Sequence, residues 1–219
     1  MTVFGRGLSG CTGESAKALP LADSLCNTQV LFNGKAGPMY YASDSQVIAL
    51  APYSLAAGQP LKISVNNGGI QSDDATIPAA SVLDSAPAIF AYFVDGEKFA
   101  RAVIQGSDAT LIGPGRPLRI GETGTIYANG LGVTNPAAGD GQPAPSDPLA
   151  RILRTVDVVV NDVAQQVLFT GLTPGSVGLY QVNFTLAAGT PVKGDGTDEV
   201  KLRVNGVESP VLRTALSAN

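Results

Sequence analysis

Three acidic residues near the end of the sequence form its densest cluster of side chains that could do chemistry. Asp195, Asp198 and Glu199 occur in one short run with the flexible Gly196. Ca²⁺ prefers oxygen ligands, and this spacing makes the three carboxylates candidate calcium ligands. The run lacks the fuller ligand series of a calcium loop, so the alternative is an acidic, solvated hairpin tip. No other cofactor is expected.

The residue types that nucleophilic catalysis needs are largely missing. The sequence contains no histidine, which excludes Ser-His-Asp and Cys-His mechanisms. The run Gly-Arg-Gly-Leu-Ser-Gly at residues 5–10 satisfies the G-x-G-x-x-G pattern, but a loop leading to Pro20 follows where dinucleotide binding requires a helix. We therefore interpret these glycines as turns after a strand and expect no enzyme. The catalytic alternative uses carboxylates alone and needs two of them about 5 to 9.5 Å apart in a cleft.

Two cysteines, Cys11 and Cys26, flank a segment rich in Gly, Ser, Ala and Pro. We predict that they form a disulfide, because both lie in a loop and no histidine or third cysteine is present to complete a metal site. The alternative is a pair of reduced, buried thiols. A disulfide closing a loop of about 15 residues would contribute about 3 kcal/mol and indicates an oxidising compartment.

Adjacent aromatic residues raise the question of carbohydrate binding. Tyr40 and Tyr41 are neighbours, as are Tyr92 and Phe93, and one ring of each pair points outward if the segment is a strand. Exposed rings could stack on sugars. The alternative is one ring in a core and the other against a neighbouring loop or domain, which the lack of tryptophan favours.

Composition excludes several classes of partner. The chain has 14 Lys and Arg against 18 Asp and Glu, for a net charge of −4, and no basic cluster. Nucleic acid is therefore not an expected partner. No apolar stretch is long enough to span a membrane. Met1 is followed at once by a strand-like run, which leaves no room for a signal peptide, so we expect a processed or excised fragment of an exported protein.

Alternation of apolar and polar residues predicts strands throughout. Val200, Leu202 and Val204 should share a buried face, whereas Lys201 and Arg203 between them should be exposed. The same pattern predicts that Val182 and Phe184 are buried. Turn signals such as Asn-Gly and Asp-Gly separate the runs, and this density of short strands is typical of sandwiches and barrels.

An internal repeat predicts two domains. The run Phe-Gly-Arg-Gly-Leu at 4–8 matches Tyr-Ala-Asn-Gly-Leu at 127–131, and Gly-Ile-Gln-Ser at 69–72 matches Gly-Val-Glu-Ser at 206–209. The elements come in the same order in both copies, each near the size of an immunoglobulin-like sandwich. We expect an all-β fold with one such sandwich at 1–84, a hairpin turning at Asp95-Gly96 plus a stiff connection at 85–120, and a second sandwich at 121–219.

The sequence resembles an uncharacterised C-terminal domain family of secreted acidobacterial proteins of the Solibacter type. The resemblance is strongest in Phe-Thr-Gly-Leu-Thr-Pro-Gly-Ser-Val-Gly-Leu-Tyr-Gln-Val-Asn at 169–183, and continues in the runs at 86–90, 127–132 and 140–145. It implies tandem immunoglobulin-like domains of the IPT/TIG type and carries no catalytic residues. The cysteine pair lies outside the family's pattern, so the disulfide rests on the physical argument.

These observations lead to one functional hypothesis and its rival. We expect a non-catalytic module, extracellular or at the bacterial cell surface, that spaces, presents or assembles proteins. Its partners would be proteins or further copies of itself, because the strand at residues 1–4 carries no charge and could pair at a sheet edge to build a filament. The rival is a carbohydrate-binding module attached to an exported enzyme.

Overall fold

Strands joined by turns and loops dominate the described chain. The computed structural model describes residues 1–218, in which the single helical element is a three-residue 3₁₀ turn at Ala79–Ser81. No helix in this range is long and apolar enough to cross a membrane. The prediction of an all-β fold is confirmed.

The chain divides into two compact units that are not simple halves. Unit 1 comprises residues 1–84 together with two later segments, 137–145 and 174–178. Unit 2 comprises the remaining segments, 85–136, 146–173 and 179 onward. The segment 85–120 thus lies wholly in unit 2, and each unit draws on several stretches of chain.

Unit 1 contains nine strands arranged in two antiparallel sheets. The first sheet has the order β1-β6-β5-β2, and the second has β4-β3-β7-β8, with β9 also pairing β7. The strands are β1 (Thr2–Phe4), β2 (Glu14–Ser15), β3 (Thr28–Phe32), β4 (Lys35–Gly37), β5 (Met39–Ala42), β6 (Gln46–Ala49), β7 (Leu61–Asn67), β8 (Ile70–Gln71) and β9 (Ala75–Ile77).

One apolar core lies between the two sheets of unit 1. Val30, Phe32 and Val65 come from the second sheet, and Met39 and Val47 from the first, and all are buried in one cluster. The alternation predicted from sequence produces this arrangement, since every second side chain of a strand faces the opposite sheet. The two sheets therefore pack face to face as a sandwich.

Unit 2 contains sixteen strands in three sheets. The strands are β10 (Ala88–Ile89), β11 (Ala91–Phe93), β12 (Ala100–Ala102), β13 (Ile104–Gln105), β14 (Leu118–Arg119), β15 (Thr123–Asn129), β16 (Thr134–Asn135), β17 (Arg151–Ile152), β18 (Val156–Val160), β19 (Val163–Ala164), β20 (Gln166–Leu172), β21 (Tyr180–Thr185), β22 (Asp198–Val204), β23 (Val207–Glu208), β24 (Leu212–Thr214) and β25 (Leu216–Ser217). One large sheet runs β10-β15-β21-β20-β17-β16, with β13 also on β15, and the other runs β11-β12-β24-β22-β18-β19, with β23 on β22. The third sheet is the parallel pair β14-β25.

The predicted core of unit 2 is confirmed. Val182, Phe184, Val200, Leu202 and Val204 are all at most 1% exposed. They alternate along β21 and β22, so each strand turns one apolar row inward.

The prediction that Lys201 and Arg203 are exposed is wrong in degree. Both side chains leave the apolar row, as expected, but both residues are half-buried. The reason is the neighbouring β23, whose Glu208 accepts from Lys201 Nζ at 3.0 Å and from Arg203 Nε at 3.0 Å. The short hairpin therefore covers the outer face that the alternation alone would leave open.

The two units share a pattern of strand pairing. In unit 1 the order β1-β6-β5-β2 corresponds to β15-β21-β20-β17 in unit 2, and β4-β3-β7 corresponds to β19-β18-β22. The register corresponds as well, since Phe4 pairs with Gln46 as Tyr127 pairs with Gln181. The repeat seen in the sequence thus extends to the pairing of individual residues.

Serine side chains at equivalent positions strengthen this correspondence. Ser72 Oγ accepts from the Val65 N–H at 3.0 Å, and Ser209 Oγ accepts from the Leu202 N–H at 3.0 Å. Each serine follows the two-residue strand that pairs with the long central strand of its sheet. The matching Gly-Ile-Gln-Ser and Gly-Val-Glu-Ser runs therefore perform the same structural role.

Candidate interaction site

The disulfide prediction is confirmed. Cys11 and Cys26 are bonded, their Cα atoms lie 6.2 Å apart, and the bond closes a loop with a sequence separation of 15. Beside it, Thr28 Oγ1 donates to Ser9 Oγ at 2.9 Å, and both residues are buried. The disulfide therefore fastens the loop between β1 and β3 to a small buried polar cluster.

The calcium candidates each bind a different protein group. Asp195 Oδ1 accepts from the hydroxyl of Thr197 at 2.6 Å and from its N–H at 2.9 Å, and these bonds lower the pKa of Asp195. Glu199 pairs with Arg213, which lowers the pKa of Glu199. Among residues 1–218, no three acidic, cysteine or histidine side chains converge as a metal site would require.

Asp198 differs from the other two candidates because it is completely buried. Its Oδ1 accepts from Asn161 Nδ2 at 2.8 Å and from the Lys193 N–H at 2.9 Å, and its Oδ2 accepts from the Leu216 N–H at 3.2 Å. Three donors thus surround the carboxylate, as a buried charge requires. Asp198 holds together segments that are far apart in the sequence.

The glycine-rich run at residues 5–10 leads from β1 into turns and the disulfide loop. Asp44 fixes it, since Asp44 Oδ1 accepts from the Gly7 N–H at 3.1 Å and the Asp44 carbonyl accepts from the Leu8 N–H at 3.0 Å. Gly7 has a φ of 67°, a conformation that favours glycine. The glycines therefore turn the chain after a strand, in agreement with the structural interpretation of the motif.

The adjacent aromatic residues do not form an exposed strip. Tyr40 and Tyr41 are both half-buried, and burial together with the neighbouring Tyr53 raises the pKa of Tyr40 to about 12. Tyr92 is half-buried and donates to the Ile112 carbonyl at 2.9 Å, whereas Phe93 is 81% exposed. The ring with a hydroxyl faces the protein, and the ring without one faces solvent.

A buried arginine in unit 2 was not foreseen from the sequence. Arg101 is 2% exposed, donates from Nε to Glu97 at 2.7 Å and from Nη1 to the Gly196 carbonyl at 2.8 Å, and lies 5.1 Å from the Phe99 ring centroid. Glu97 and Arg101 both follow the turn predicted at Asp95-Gly96, and no sequence pattern indicated that they pair. Arg101 fastens β12, and with it the hairpin turning at Asp95-Gly96, to the loop before β22.

Unit 1 has an open side where two strands have unpaired edges. We define this open side as the outer edges of β1 and β9, each of which pairs with a single strand among the described residues. Met1 and Gly5 hydrogen-bond towards the β6 side of β1, to Ala49 and Ser45. Because bonding alternates along an antiparallel strand, Phe4 directs its N–H and C=O outward. Phe4 is also 75% exposed.

The equivalent edges of unit 2 are covered by one segment of chain. β10 and β13 both pair with β15, and β12 pairs with β24. Tyr127, the counterpart of Phe4, donates its N–H to the Val103 carbonyl at 3.2 Å and accepts from the Phe90 N–H at 2.9 Å. The segment from β10 to β13 therefore closes in unit 2 the side that is open in unit 1.

Solvent exposure follows this difference residue by residue. Thr2, Val3 and Phe4 of β1 are each in a more exposed class than their counterparts in β15. The same holds for β9 against β24. The three residues of β9 are exposed, exposed and half-buried, whereas those of β24 are half-buried, half-buried and buried. The sequence indicates an uncharged first strand, but no pattern in it marks β9 as a second open edge.

The chain has been compared with protein-family models and with curated proteins. The chain matches no protein-family model, and no curated protein is significantly similar to it. The resemblance to the secreted acidobacterial domain family therefore stays a prediction.

Proposed function

We propose that this chain is a non-catalytic, extracellular structural or interaction module that binds another protein through the open side of unit 1. The observation that carries the proposal is that the outer edges of β1 and β9 have no pairing strand among residues 1–218, whereas the equivalent edges of unit 2 are covered. Soluble proteins usually protect such edges with charge, proline or a bulge. β1 has none of these, since Thr2, Val3 and Phe4 are uncharged and pair with β6 in unbroken register.

Export from the cell is part of the same proposal. The Cys11–Cys26 disulfide supports it, because disulfides persist in oxidising compartments and are rare in the cytosol. The resemblance to secreted tandem immunoglobulin-like domains points the same way. A module of this kind would space or present a neighbouring protein at the cell surface.

Site-specific photo-crosslinking in the producing organism tests this function. A benzoylphenylalanine at position 4 should form an adduct with a distinct protein at the cell surface. The matched control is position 168, because Leu168 is also an apolar residue and is 50% exposed. Unlike Phe4, it lies in a strand, β20, that pairs with a neighbour on each side. Absence of any adduct at position 4, with the chain present at the surface, would overturn the proposal, as would turnover of a substrate by the purified chain.

A further inference from the structure

We infer that the open side of unit 1 accepts a β-hairpin from another polypeptide, with the apolar and polar alternation of residues 88–105 of this chain. The inference rests on the proposed function and names the chemistry of the partner. It depends on the correspondence between the two units, in which the same two edges are open in one and covered in the other.

In unit 2, one hairpin reaches both edges. In unit 2, β10 and β13 add to one sheet, and β11 and β12, joined through Gly96, add to the other. The segment therefore passes from one sheet to the other and closes the sandwich along that side. The arm from β12 to β13 alone pairs with both sheets, and the arm from β10 to β11 adds one further strand to each, so the matching partner for unit 1 is a hairpin with two such arms.

The backbone of unit 1 already has the conformation that such a partner requires. Gly7 and Gly130 occupy equivalent positions, with φ values of 67° and 71°. At Gly130 an added Cβ would lie 2.1 Å from the Ala86 carbonyl oxygen, because the covering segment passes directly over it. At Gly7 nothing lies within 4 Å of the same point. The space that the covering segment fills in unit 2 is free in unit 1.

The covering segment of unit 2 also indicates the chemistry of the partner strand. In unit 2, Ile89 and Ile104 turn inward and are at most 8% exposed, while Gln105 accepts a hydrogen bond from the Tyr127 hydroxyl at 2.7 Å. The counterpart of Tyr127 is Phe4, which has no hydroxyl. The partner of unit 1 should therefore keep the inward apolar residues and place an apolar side chain where Gln105 stands.

A peptide of residues 85–106 is the probe for this inference. The edges of β15 and β24 are already covered within the chain, so added peptide should bind only at the open side of unit 1. We expect saturable binding to the full chain, with slowed amide exchange at Thr2 and Phe4. A peptide carrying Phe90→Pro lacks the N–H that Phe90 donates to Tyr127 and should bind at least about tenfold more weakly.

Two variants of the chain locate the binding. Phe4→Pro removes an outward N–H that β6 does not use, so the fold should tolerate it while the affinity for the peptide falls at least about tenfold. Phe4→Ala keeps that N–H and should bind within about threefold of the unmodified chain. Thermal unfolding of both variants verifies that unit 1 is intact.

Several outcomes would overturn the inference. These are no binding of the native peptide, equal binding by Phe4→Pro, or protection appearing at β15 instead of β1. A chain that sediments as a dimer, and becomes monomeric with Phe4→Pro, would assign the edge to a second copy. An adduct at position 4 in cells, combined with no peptide binding, would leave the proposed function standing and reject this class of partner.

Discussion

Among individual residues, Glu122 has a pKa that the folded structure lowers strongly. Arg116 donates from Nη1 to Glu122 Oε2 at 2.8 Å, and the Arg119 N–H donates to the same oxygen at 3.1 Å. These bonds, the one from Arg116 foremost, lower the pKa of Glu122 from 4.5 to about 2. A carboxylate with a lowered pKa stabilises the fold fully at any pH above its pKa in the unfolded chain. This stabilisation is lost as the pH falls through its pKa in the folded chain.

Glu122→Gln should therefore lower the free energy of unfolding at pH 7 by about 2 kcal/mol. It should also flatten the loss of stability between pH 4.5 and about 2, since glutamine takes up no proton there. Urea unfolding across this pH range measures both effects. The control is Glu208→Gln, which should change stability much less because the side chains of Glu208 and Arg203 are both 41% exposed. Parallel pH profiles for Glu122→Gln and the unmodified chain would contradict the assignment.

The core position Phe184 gives a second test at the same scale. Its ring lies over Gly124, where an added Cβ would be 2.9 Å from the ring. Phe184→Ala should cost about 3 to 5 kcal/mol, through lost burial and the cavity left behind. Phe93→Ala removes a ring that is 81% exposed and should change stability by less than about 0.5 kcal/mol. Denaturant midpoints compare the two, and equal losses would show that the face assignment of β21 is wrong.

At the scale of elements, the asparagines of two equivalent hairpins donate hydrogen bonds to different acceptors. Asn33 and Asn161 both have positive φ, 51° and 44°, and both accept from an N–H of the adjoining long strand at 2.8 Å. Asn161 also donates to the Pro191 carbonyl at 2.7 Å and to the buried Asp198 at 2.8 Å. Asn33 donates to the Pro60 carbonyl at 3.5 Å, and that bond is exposed.

Asn161→Gly should accordingly destabilise the protein by about 2 to 3 kcal/mol, because it takes one donor from a buried carboxylate. Asn33→Gly should cost less than about 1 kcal/mol. Glycine accepts positive φ without strain, so the comparison isolates the side-chain hydrogen bonds. Chemical unfolding of both variants provides the measurement, and a larger loss for Asn33→Gly would refute the role given to Asp198.

The disulfide loop is a further element with a measurable contribution. Replacing both cysteines by serine should lower the free energy of unfolding by about 3 kcal/mol, because the unfolded chain regains the freedom of the closed loop. The same loss should follow when dithiothreitol is added to the unmodified chain, and dithiothreitol should leave the serine variant unchanged. Equal denaturant midpoints for the reduced and oxidised chain would contradict this expectation.

Local patterns in the sequence predicted the elements better than the contacts between them. The alternation along β22 located the buried Val200 and Leu202, and the loop setting of the two cysteines, with no histidine or third cysteine in the sequence, made their pairing predictable. Asp198 is buried, although the sequence analysis allowed for an acidic, solvated hairpin tip there. Its hydrogen-bond donors come from Asn161 and Leu216, which are distant in the sequence. Burial of a charge depends on such distant partners, and no local period encodes them.

Across the whole molecule, the units are assembled from discontinuous stretches of chain. The segments 137–145 and 174–178 belong to unit 1 although they lie within the second repeat. Nothing in their composition marks this, since both are Gly- and Pro-containing runs of the kind found in any turn. The sequence repeat therefore indicated two copies of a pattern, but it did not indicate that the second repeat contributes two segments to unit 1.

A fragment of residues 1–84 should consequently be less stable than the same residues in the full chain. It lacks Asp140, which accepts from Lys35 Nζ at 2.7 Å and from the Tyr53 N–H at 2.8 Å, and it lacks the Val177 carbonyl that accepts from the Tyr40 hydroxyl. The loss should be on the order of 3 kcal/mol. Amide exchange in β3 and β7 measures it, and equal protection in the fragment and the full chain would contradict the expectation.

Asp140→Ala in the full chain is the matched comparison for that fragment. It removes one of the contacts and leaves the Val177 carbonyl in place, so its loss of protection should be smaller than that of the fragment. Burial alone would raise the pKa of Asp140, but Lys35 and the Tyr53 N–H lower it overall, so the carboxylate is charged at neutral pH.

The distance along the chain between Tyr40 and its acceptor at Val177 bears on how the protein is made. The two residues are 137 positions apart, and a ribosome adds about 5 to 20 residues per second. Tyr40 therefore emerges roughly 7 to 27 seconds before the carbonyl that accepts its hydrogen bond. During that interval the earliest strands exist without their last contacts, and the first unit is completed only when most of the second has already been translated.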